Sequence, residues 1–267
     1  MHFGGIHMVD VVKISDELVI GGKEFIIIAG PCAVESEEQM ESIGKFLSGL
    51  GIKILRGGAF KPRTSPNAFQ GLGMDGLKIL KDIRNRYNLK VVSEIMDPRD
   101  VEKAYEYIDI YQVGSRNMQN YSLLKEVGRA DKPILLKRGM GATIDEWVKA
   151  SEYIRIEGND RIIFCERGIR TFEDYTRNTL DLVSIPIIQS KTKCPIIVDP
   201  SHGTGRKELV LPSSKAALAI GANGIMIEVH PNPESALSDG FQSLNFREFA
   251  DLFERITNME RVLKTIV

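Results

Sequence analysis

Four residues that lie far apart in the chain carry side chains that bind transition metals: Cys32, His202, Glu228 and Asp239. The first three fall at or just past the ends of short apolar runs that are typical of β-strands, and Asp239 lies in the loop after the last such run. A thiolate, an imidazole and two carboxylates suit Mn, Fe, Co or Zn better than Mg, and they leave a coordination position for water or substrate. The set therefore predicts a metalloenzyme that uses one divalent ion.

Each of these residues also has a plainer interpretation when it is taken by itself. A lone Cys32 is more often a small core side chain, and a lone Asp239 is an ordinary loop acid. His202 lies among glycines in a polar loop, where its side chain has no packing role, so a functional role is favoured. Glu228 lies inside an apolar run, where an unpaired carboxylate would cost several kcal/mol, so it requires a nearby cation. Glu94, Glu166 and Asp199 are further acids at strand ends, and the sequence leaves open whether they orient basic groups or move protons.

Basic residues follow the ends of four of the predicted strands: Arg56, Lys61, Arg63, Arg116, Lys137 and Arg167. Any one of them would ordinarily be a solvated surface group. In a parallel barrel, however, all six would converge on one mouth. A phosphate carries about -1.5 to -2 charges at neutral pH, so two phosphates and a carboxylate would bring about -4 to -5 charges, a fair match to the six cations. The pattern therefore predicts two phosphorylated substrates.

The most specific basic segment is KPRTSP, residues 61–66. Its prolines stiffen the loop, Arg63 can bind a phosphate through two parallel hydrogen bonds, and the hydroxyls of Thr64 and Ser65 can donate to the same phosphate. A turn bounded by prolines, with Lys61 and Arg63 facing water, is the equally weighted alternative. The segment thus predicts either a phosphate-binding loop or a solvated turn.

The elements that must position these residues form an eightfold repeat. Apolar, β-branched runs begin about 28 residues apart, close to the ~30 residues of a strand–helix–strand unit, at Phe25, Lys53, Lys90, Asp109, Pro133, Arg161, Pro195 and Gly224. Their nearly continuous hydrophobicity indicates strands that are covered on both faces, as in parallel sheets. We therefore predict a (β/α)8 TIM barrel. An open doubly wound sheet is the structural rival, but no G-x-G-x-x-G turn follows the first strand.

Helix starts and an N-terminal extension complete the predicted architecture. Capping pairs at Ser36/Gln39, Thr143/Glu146 and Asn245/Glu248 mark three helix starts. Before the barrel, residues 9–25 contain two short strand-like pieces with a Gly21-Gly22 turn, which predicts a β-hairpin that closes the N-terminal end of the barrel. The expected domains are therefore an extension at 1–24 and a barrel at 25–267.

The bulk composition excludes several classes of function. Thirty-five basic and 36 acidic residues give a net charge of -1, so no global field attracts nucleic acid or membrane. No apolar run has the length of a signal peptide core or a membrane span. Three cysteines without regular spacing do not form a disulfide framework. We expect a soluble protein of the reducing cytoplasm that binds neither nucleic acid nor membrane.

Eight segments together resemble those of a known family: AGPCAVES, LRGGAFKPRTSPNAFQGLG, SEIMDP, QVGSRNMQN, LLKRGM, FCERGIRTF, VDPSHGTG and MIEVHPNPESALSDGFQSL. The chain resembles 3-deoxy-D-arabino-heptulosonate 7-phosphate (DAHP) synthase of the type I-beta branch, from about Phe25 to the C-terminus. The resemblance implies condensation of phosphoenolpyruvate with D-erythrose 4-phosphate and water, at the start of the shikimate pathway. It also implies a divalent metal cofactor and a homodimer or homotetramer.

The resemblance assigns a role to each candidate residue. It implies that Cys32, His202, Glu228 and Asp239 are the metal ligands. Arg116, Lys137 and Arg167 match the positions that hold the phosphate of phosphoenolpyruvate, and Arg56 and Lys61 match those around its carboxylate and reacting centre. Arg63, Thr64 and Ser65 match the erythrose 4-phosphate site. Lys61 is then expected to deliver a proton near the new alcohol or the water, with Glu94 assisting.

Three further expectations bound this interpretation. About 24 residues precede the first barrel strand, so we expect a catalytic core without a regulatory domain or feedback inhibition by aromatic amino acids. The nearest rival is 3-deoxy-D-manno-octulosonate 8-phosphate synthase, which uses arabinose 5-phosphate. That family usually has Ala-Asn-Arg-Ser-Ser after its loop lysine, whereas Pro62-Arg63-Thr64-Ser65 follows Lys61 here. A non-catalytic metal or sugar-phosphate sensor is the remote alternative, since sensing needs neither two anion sites nor an open metal position.

Overall fold

Eight parallel strands close into a barrel in the computed structural model, which describes residues 9–63 and 65–266. Each strand pairs with the next along the chain, and the last pairs with the first. The strands are β3 Ile26–Gly30, β4 Ile54–Arg56, β5 Lys90–Glu94, β6 Ile110–Val113, β7 Ile134–Lys137, β8 Ile162–Glu166, β9 Ile196–Val198 and β10 Gly224–Glu228. Every predicted run forms a strand, so the predicted TIM barrel is confirmed.

Helices follow the strands, and the longer ones form the outer layer of the barrel. They are α1 Glu37–Gly49, α2 Met74–Tyr87, α3 Val101–Ala104, α4 Tyr121–Arg129, α5 Ile144–Arg155, α6 Ser184–Thr192, α7 Pro200–Thr204, α8 Lys207–Ala219 and α9 Phe246–Ile266. The predicted caps are present: Ser36 Oγ accepts from Gln39 N at 3.1 Å, and the Thr143/Glu146 and Asn245/Glu248 pairs bond reciprocally. These bonds satisfy N–H groups that a helix start leaves unpaired.

Apolar side chains fill both faces of the barrel wall. One cluster lies between the strands and the helices, where Trp147 of α5 packs edge-on against Phe164 of β8 with ring centroids 4.9 Å apart. The second cluster lies inside the barrel and takes a side chain from each strand: Ile28, Ile54, Val92, Ile110, Leu135, Ile163, Ile197 and Met226. Burial on both faces explains why the strand sequences lack polar alternation.

An antiparallel hairpin precedes the barrel, with strands β1 Val12–Lys13 and β2 Val19–Ile20. The predicted Gly21-Gly22 turn is wrong, because the polar segment Ser15–Glu17 makes the turn and Leu18 O accepts from Ile14 N and Ser15 N. Gly21 serves another purpose. It has φ 96°, and a Cβ there would lie 2.5 Å from Asp10 O. Glycine is therefore required where the chain leaves the hairpin and passes close to its own N-terminal segment.

The hairpin packs against the end of the barrel where the strands begin. Val12, Leu18 and Ile20 belong to the same buried cluster as the interior side chains of the barrel. In addition, Asp10 N donates to Lys193 O, which lies just before β9, at 2.6 Å. The hairpin thus covers the N-terminal end, opposite the strand ends that carry the candidate site.

The predicted domain division between residues 24 and 25 stays a prediction, and residues 1–8 lie outside the described residues. No helix in the described part of the chain is long and apolar enough to cross a bilayer.

If this packing contributes to the stability of the barrel, Ile20→Ala will lower the free energy of unfolding by about 2–5 kcal/mol, because it leaves a cavity at a fully buried site. Denaturant unfolding followed by circular dichroism measures this change. Val11→Ala is the matched control, since Val11 is 55% exposed in the same segment. Equal stability of the Ile20→Ala variant and the unsubstituted protein would show that the hairpin does not support the barrel.

Candidate metal centre and substrate cavity

The structure brings the four predicted metal-binding side chains together at the C-terminal end of the barrel. One donor atom from each of them lies within 4.8 Å of the other three: Cys32, His202, Glu228 and Asp239. Closure of the sheet brings these residues together, because it places the last barrel strand next to the first. The register of β10 against β3 pairs Glu228 with Gly30, and Cys32 follows two residues later.

His202 is held in place by Asp199. Asp199 caps the short helix α7, with its Oδ1 accepting from His202 N at 3.0 Å, and its Oδ2 lies 2.7 Å from His202 Nδ1. The other ring nitrogen, Nε2, then faces Glu228 Oε1 at 3.2 Å and Asp239 Oδ2 at 3.8 Å. Burial lowers the pKa of His202, and the neighbouring carboxylates oppose that shift. A neutral imidazole whose Nε2 faces the carboxylates is the form that binds a metal.

Glu228 is fully buried at the end of β10, as its apolar run predicts. Arg56 Nη1 donates to its Oε1 at 3.0 Å, and Gln242 Nε2 donates to its Oε2 at 2.6 Å. Burial would raise the pKa of Glu228, but the attraction of His202 and Arg56 outweighs burial and lowers that pKa below its ordinary value. The predicted need for a cation is therefore met, and Glu228 is a carboxylate at neutral pH.

Cys32 lies at the base of the cluster, 2% exposed. Its Sγ lies 2.9 Å from Ser238 Oγ and 3.4 Å from Asp239 Oδ2, and Lys61 Nζ donates to it at 3.0 Å. Burial raises the pKa of this thiol to about 12, with Glu228 adding to the shift and Lys61 opposing it. A divalent cation among these groups would favour the thiolate, because the thiolate is the form that binds metals.

Asp239 completes the donor set from the loop after β10. Its backbone is left-handed, with φ 50°, and Arg177 Nη1 lies 3.3 Å from its Oδ2. Burial would raise its pKa, but His202 and Arg177 outweigh burial, so that the pKa of Asp239 is lowered to about 2. The donor set suits one transition-metal ion, since ligand bonds of roughly 2.0–2.3 Å put donors up to about 4.6 Å apart, which is close to the 4.8 Å within which these atoms lie.

A cavity of about 320 Å³ opens beside this cluster and is lined by cations. His202 and Asp239 form part of its wall, whereas Cys32 and Glu228 lie behind that wall. The basic side chains along it come from the ends of four strands, β4, β6, β7 and β8, and from the loops that follow them: Arg56, Lys61, Arg63, Arg116, Lys137, Arg167 and Arg177. Glu94 and Ser65 also contribute. The structure therefore gathers the predicted residues at one mouth, except Thr64, which lies outside the described residues.

Two atoms of the cavity wall are buried without a hydrogen-bond partner among the described residues. They are Arg56 Nε and Glu94 Oε1. Burial raises the pKa of Glu94, while Lys61 and Lys137 oppose the shift. Buried polar groups are nearly always satisfied in folded proteins, so an unsatisfied donor and acceptor in two residues that line one cavity favour a polar ligand there.

The sequence analysis did not identify Arg177 and Gln242 as site residues, and it did not predict the contacts of Asp199. Arg177 lies in the long connection after β8, with no strand end to mark it, and Gln242 lies in the loop before α9. Asp199 was recognised only as an acid at a strand end. In the structure Asp199 Oδ2 contacts His202 Nδ1 and accepts from Lys137 Nζ at 2.5 Å. Burial would raise the pKa of Asp199, but its interactions with His202 and Lys137 hold that pKa well below the ordinary value.

Comparisons with known proteins agree with the geometry of the site. A family described as "DAHP synthetase I family" matches residues 10–265. Phospho-2-dehydro-3-deoxyheptonate aldolase of Thermotoga maritima is 51% identical over 257 residues, which make up 96% of this chain and 76% of that relative. A 2-dehydro-3-deoxyphosphooctonate aldolase of Syntrophotalea carbinolica is 31% identical over 275 residues, with 96% and 98% of the two chains covered.

Solved structures give the same result. The crystal structure of the Thermotoga maritima DAHP synthase superposes with a TM-score of 0.92 at 51% identity, covering 96% of this chain and 74% of that one. A truncated form of the Thermotoga maritima enzyme gives 0.89 at 48% identity, with 96% and 93% covered. The predicted resemblance is confirmed, and the chain belongs to the DAHP synthetase I family.

Proposed function

We propose that this protein condenses phosphoenolpyruvate with D-erythrose 4-phosphate and water to give DAHP and inorganic phosphate. In this reaction C3 of phosphoenolpyruvate forms a bond to the aldehyde carbon, water adds at C2, and the C2–O bond to phosphate breaks. The observation that carries the proposal is one cavity with seven cationic side chains next to four metal-binding donors. Membership of the DAHP synthetase I family and 51% identity to a heptonate aldolase support it.

Phosphoenolpyruvate would occupy the inner part of the cavity. Arg116, Lys137 and Arg167 would hold its phosphate, with Lys137 and Arg167 nearly buried. Arg56 would bind its carboxylate, because Arg56 Nε is a buried donor without a partner among the described residues. Charged hydrogen bonds of this kind are short and strong, and they hold the substrate in one orientation.

Erythrose 4-phosphate would bind at the outer part, on the loop 61–66. Arg63 Nε donates to Phe69 O at 3.0 Å, which orients the guanidinium along the cavity wall. Arg63, Thr64 and Ser65 would bind the phosphate of this substrate. Two such anions repel each other, so holding both at reacting distance is where these cations contribute most to the rate.

Cys32, His202, Glu228 and Asp239 would hold the divalent metal, which supplies a Lewis acid for the aldehyde oxygen when bound. We propose Mn, Fe, Co or Zn, since thiolate and imidazole ligands disfavour Mg. Lys61 Nζ lies 3.0 Å from Cys32 Sγ, and Lys61 also lines the cavity. It would therefore deliver a proton to a substrate oxygen that is bound in the cavity beside the donor set. Glu94, with one oxygen free of protein partners in the described residues, would accept or relay that proton.

Synthesis of octulosonate 8-phosphate from arabinose 5-phosphate is the weaker candidate. The octulosonate aldolases among its relatives are 29–31% identical to this chain, against 51% for the heptonate aldolase. The Pro62-Arg63-Thr64-Ser65 sequence also favours the four-carbon aldose.

The setting of the enzyme is also part of the proposal. We propose a cytoplasmic homodimer or homotetramer. Cys32, Cys165 and Cys194 are all free and buried, as in a reducing compartment. Several large apolar side chains are exposed in loops beside the mouth, including Phe172 at 100% and Tyr175 at 71% exposure. Such side chains suit a surface that meets another subunit.

A chelator-stripped assay tests the proposed function. Purified protein treated with a strong chelator should lose nearly all phosphate release from phosphoenolpyruvate and erythrose 4-phosphate, and adding back Mn, Fe, Co or Zn should restore it. Arabinose 5-phosphate serves as the comparison substrate. Faster release with arabinose 5-phosphate would favour the octulosonate reaction, and release unaffected by chelation would refute a metal-dependent enzyme.

Substitution of the thiol tests the metal ligands directly. Cys32→Ala should keep the fold but bind divalent metal at least about 100-fold more weakly and lose turnover, because a soft ligand is removed from the set. Circular dichroism checks the fold, metal content after dialysis measures metal binding, and phosphate release measures turnover. Cys194→Ala is the control, since Cys194 is buried against Arg155, away from the mouth. Full activity of a metal-free Cys32→Ala variant would remove the ligand assignment.

A pair of arginine substitutions tests the two anion sites. Arg63→Ala should raise the KM for erythrose 4-phosphate by about 10-fold or more, the size of a lost charged hydrogen bond, and leave that for phosphoenolpyruvate nearly unchanged. Arg116→Ala should raise the KM for phosphoenolpyruvate by a similar factor and leave that for erythrose 4-phosphate nearly unchanged. Steady-state kinetics with each substrate varied in turn provides the measurement. Equal effects of Arg63→Ala on both constants would reassign the loop 61–66.

A further inference from the structure

The loop between β10 and α9, residues 229–245, brings three polar groups to the metal cluster. Ser238 Oγ lies 2.9 Å from Cys32 Sγ, Asp239 Oδ2 lies 3.4 Å from the same sulfur, and Gln242 donates to Glu228. The middle of this loop belongs to no barrel strand. The position of Asp239 therefore depends on the contacts that hold the loop.

The backbone hydrogen bonds that join this loop to the barrel lie at its two ends, whereas those in its middle are local turns, such as Ala236 N to Pro233 O and Gln242 N to Asp239 O. Val229 bridges to Leu244, His230 N donates to Leu244 O at 3.0 Å, and Leu244 N donates to Glu228 O at 2.9 Å. Asp239 lies ten residues beyond Val229 along the chain. Another contact is needed to fix the stretch that leads to it.

Glu35 supplies this contact from the loop after β3, three residues beyond Cys32. Its Oε1 accepts from Leu237 N at 2.9 Å, and its Oε2 lies 3.3 Å from His230 Nε2. One carboxylate thus joins the loop that carries Cys32 to two points on the loop that carries Asp239. Only 12% of the Glu35 side chain is exposed, so water competes little for these bonds.

His230 is oriented by its own loop. Its Nδ1 accepts from Asn232 N at 3.1 Å, so the ring proton lies on Nε2, which donates to Glu35. The side chain is 5% exposed. Neither Glu35 nor His230 lines the substrate cavity, and neither belongs to the donor set.

We propose that Glu35 and His230 are positioning residues that set Asp239 against Cys32 before the metal binds. The proposal rests on the metal site of the proposed function. The Glu35 carboxylate acts through the backbone at Leu237, two residues before Asp239, and so determines where the Asp239 oxygen meets the other donors. Groups that orient metal ligands typically change metal affinity by about 10–100-fold when they are removed.

A double-mutant cycle on Co²⁺ affinity tests this proposal with the full chain. Affinity is measured by competition with a chelator, and the thiolate-to-cobalt absorption reports the bond to Cys32. Glu35→Gln should weaken Co²⁺ binding about 10–100-fold, because an amide NH2 replaces one of the two oxygens and then faces the N–H donor of either Leu237 or His230. In an Asp239→Asn background the same substitution should cost less than about threefold, since the donor through which Glu35 acts is changed.

Glu234→Gln is the matched control, because it is the same chemical substitution at an exposed site in the loop 229–245. It should leave Co²⁺ affinity unchanged. Equal losses from Glu35→Gln in both backgrounds, or an equal loss from the control, would overturn the proposal and reduce Glu35 to a general contributor to stability.

A second pair of variants decides the matter if Glu35→Gln does not fold. The amide nitrogen of a Gln side chain can occupy the position of a histidine Nε2, whereas the Asn side chain is too short to place its amide nitrogen there. His230→Gln should therefore keep Co²⁺ affinity within about threefold, and His230→Asn should weaken it as Glu35→Gln does. Equal affinity of the Gln and Asn variants, with matching denaturant unfolding of the metal-free proteins, would overturn the proposal.

The outcomes also separate this proposal from the proposed function. If the unsubstituted protein binds Co²⁺ without thiolate absorption, the ligand assignment itself fails. If it binds tightly through Cys32, Asp239→Asn weakens binding, and Glu35→Gln has no effect, only the positioning role fails.

Discussion

Burial of charge at the mouth of the barrel is the constraint on which the rest of the structure depends. Glu228 is fully buried, it is paired with Arg56 at 3.0 Å, and His202 Nε2 lies 3.2 Å from the same carboxylate oxygen. Removing one partner of such a pair typically costs about 3–5 kcal/mol, because a charge is left uncompensated in the interior. The cluster is therefore one interdependent unit, and a divalent cation would complete it electrostatically.

Asp199 couples the two halves of this unit. Its Oδ2 contacts both His202 Nδ1 and Lys137 Nζ, so one carboxylate orients a proposed metal ligand and a proposed phosphate ligand together. A shift of Asp199 would move both groups. The arrangement explains how a metal and an anion can be held in fixed relation without sharing any residue.

The site draws on two kinds of support with different rigidity. Groups at strand ends, such as Arg56, Lys137 and Glu228, are placed by the ladder of the closed sheet. Asp239 and Arg177 come instead from long connections, and their positions depend on side-chain contacts between loops. Evolution of substrate choice in such a barrel can change the loops while the strand ends keep the chemistry.

The sequence by itself determined the barrel and most of the site. The apolar runs recur with the period of a strand–helix unit, and parallel strands must deliver the residues at their carboxyl ends to one rim, so Cys32, Lys137 and Glu228 could be grouped before any coordinates. Only the tertiary structure decided which side chains touch. The turn of the hairpin at Ser15–Glu17, the bonds of Asp199, and the contacts of Arg177 and Glu35 with the loop 229–245 follow from packing between segments up to about 200 residues apart. No local pattern records such contacts, because they depend on how loops fold over the rim rather than on the period of any element.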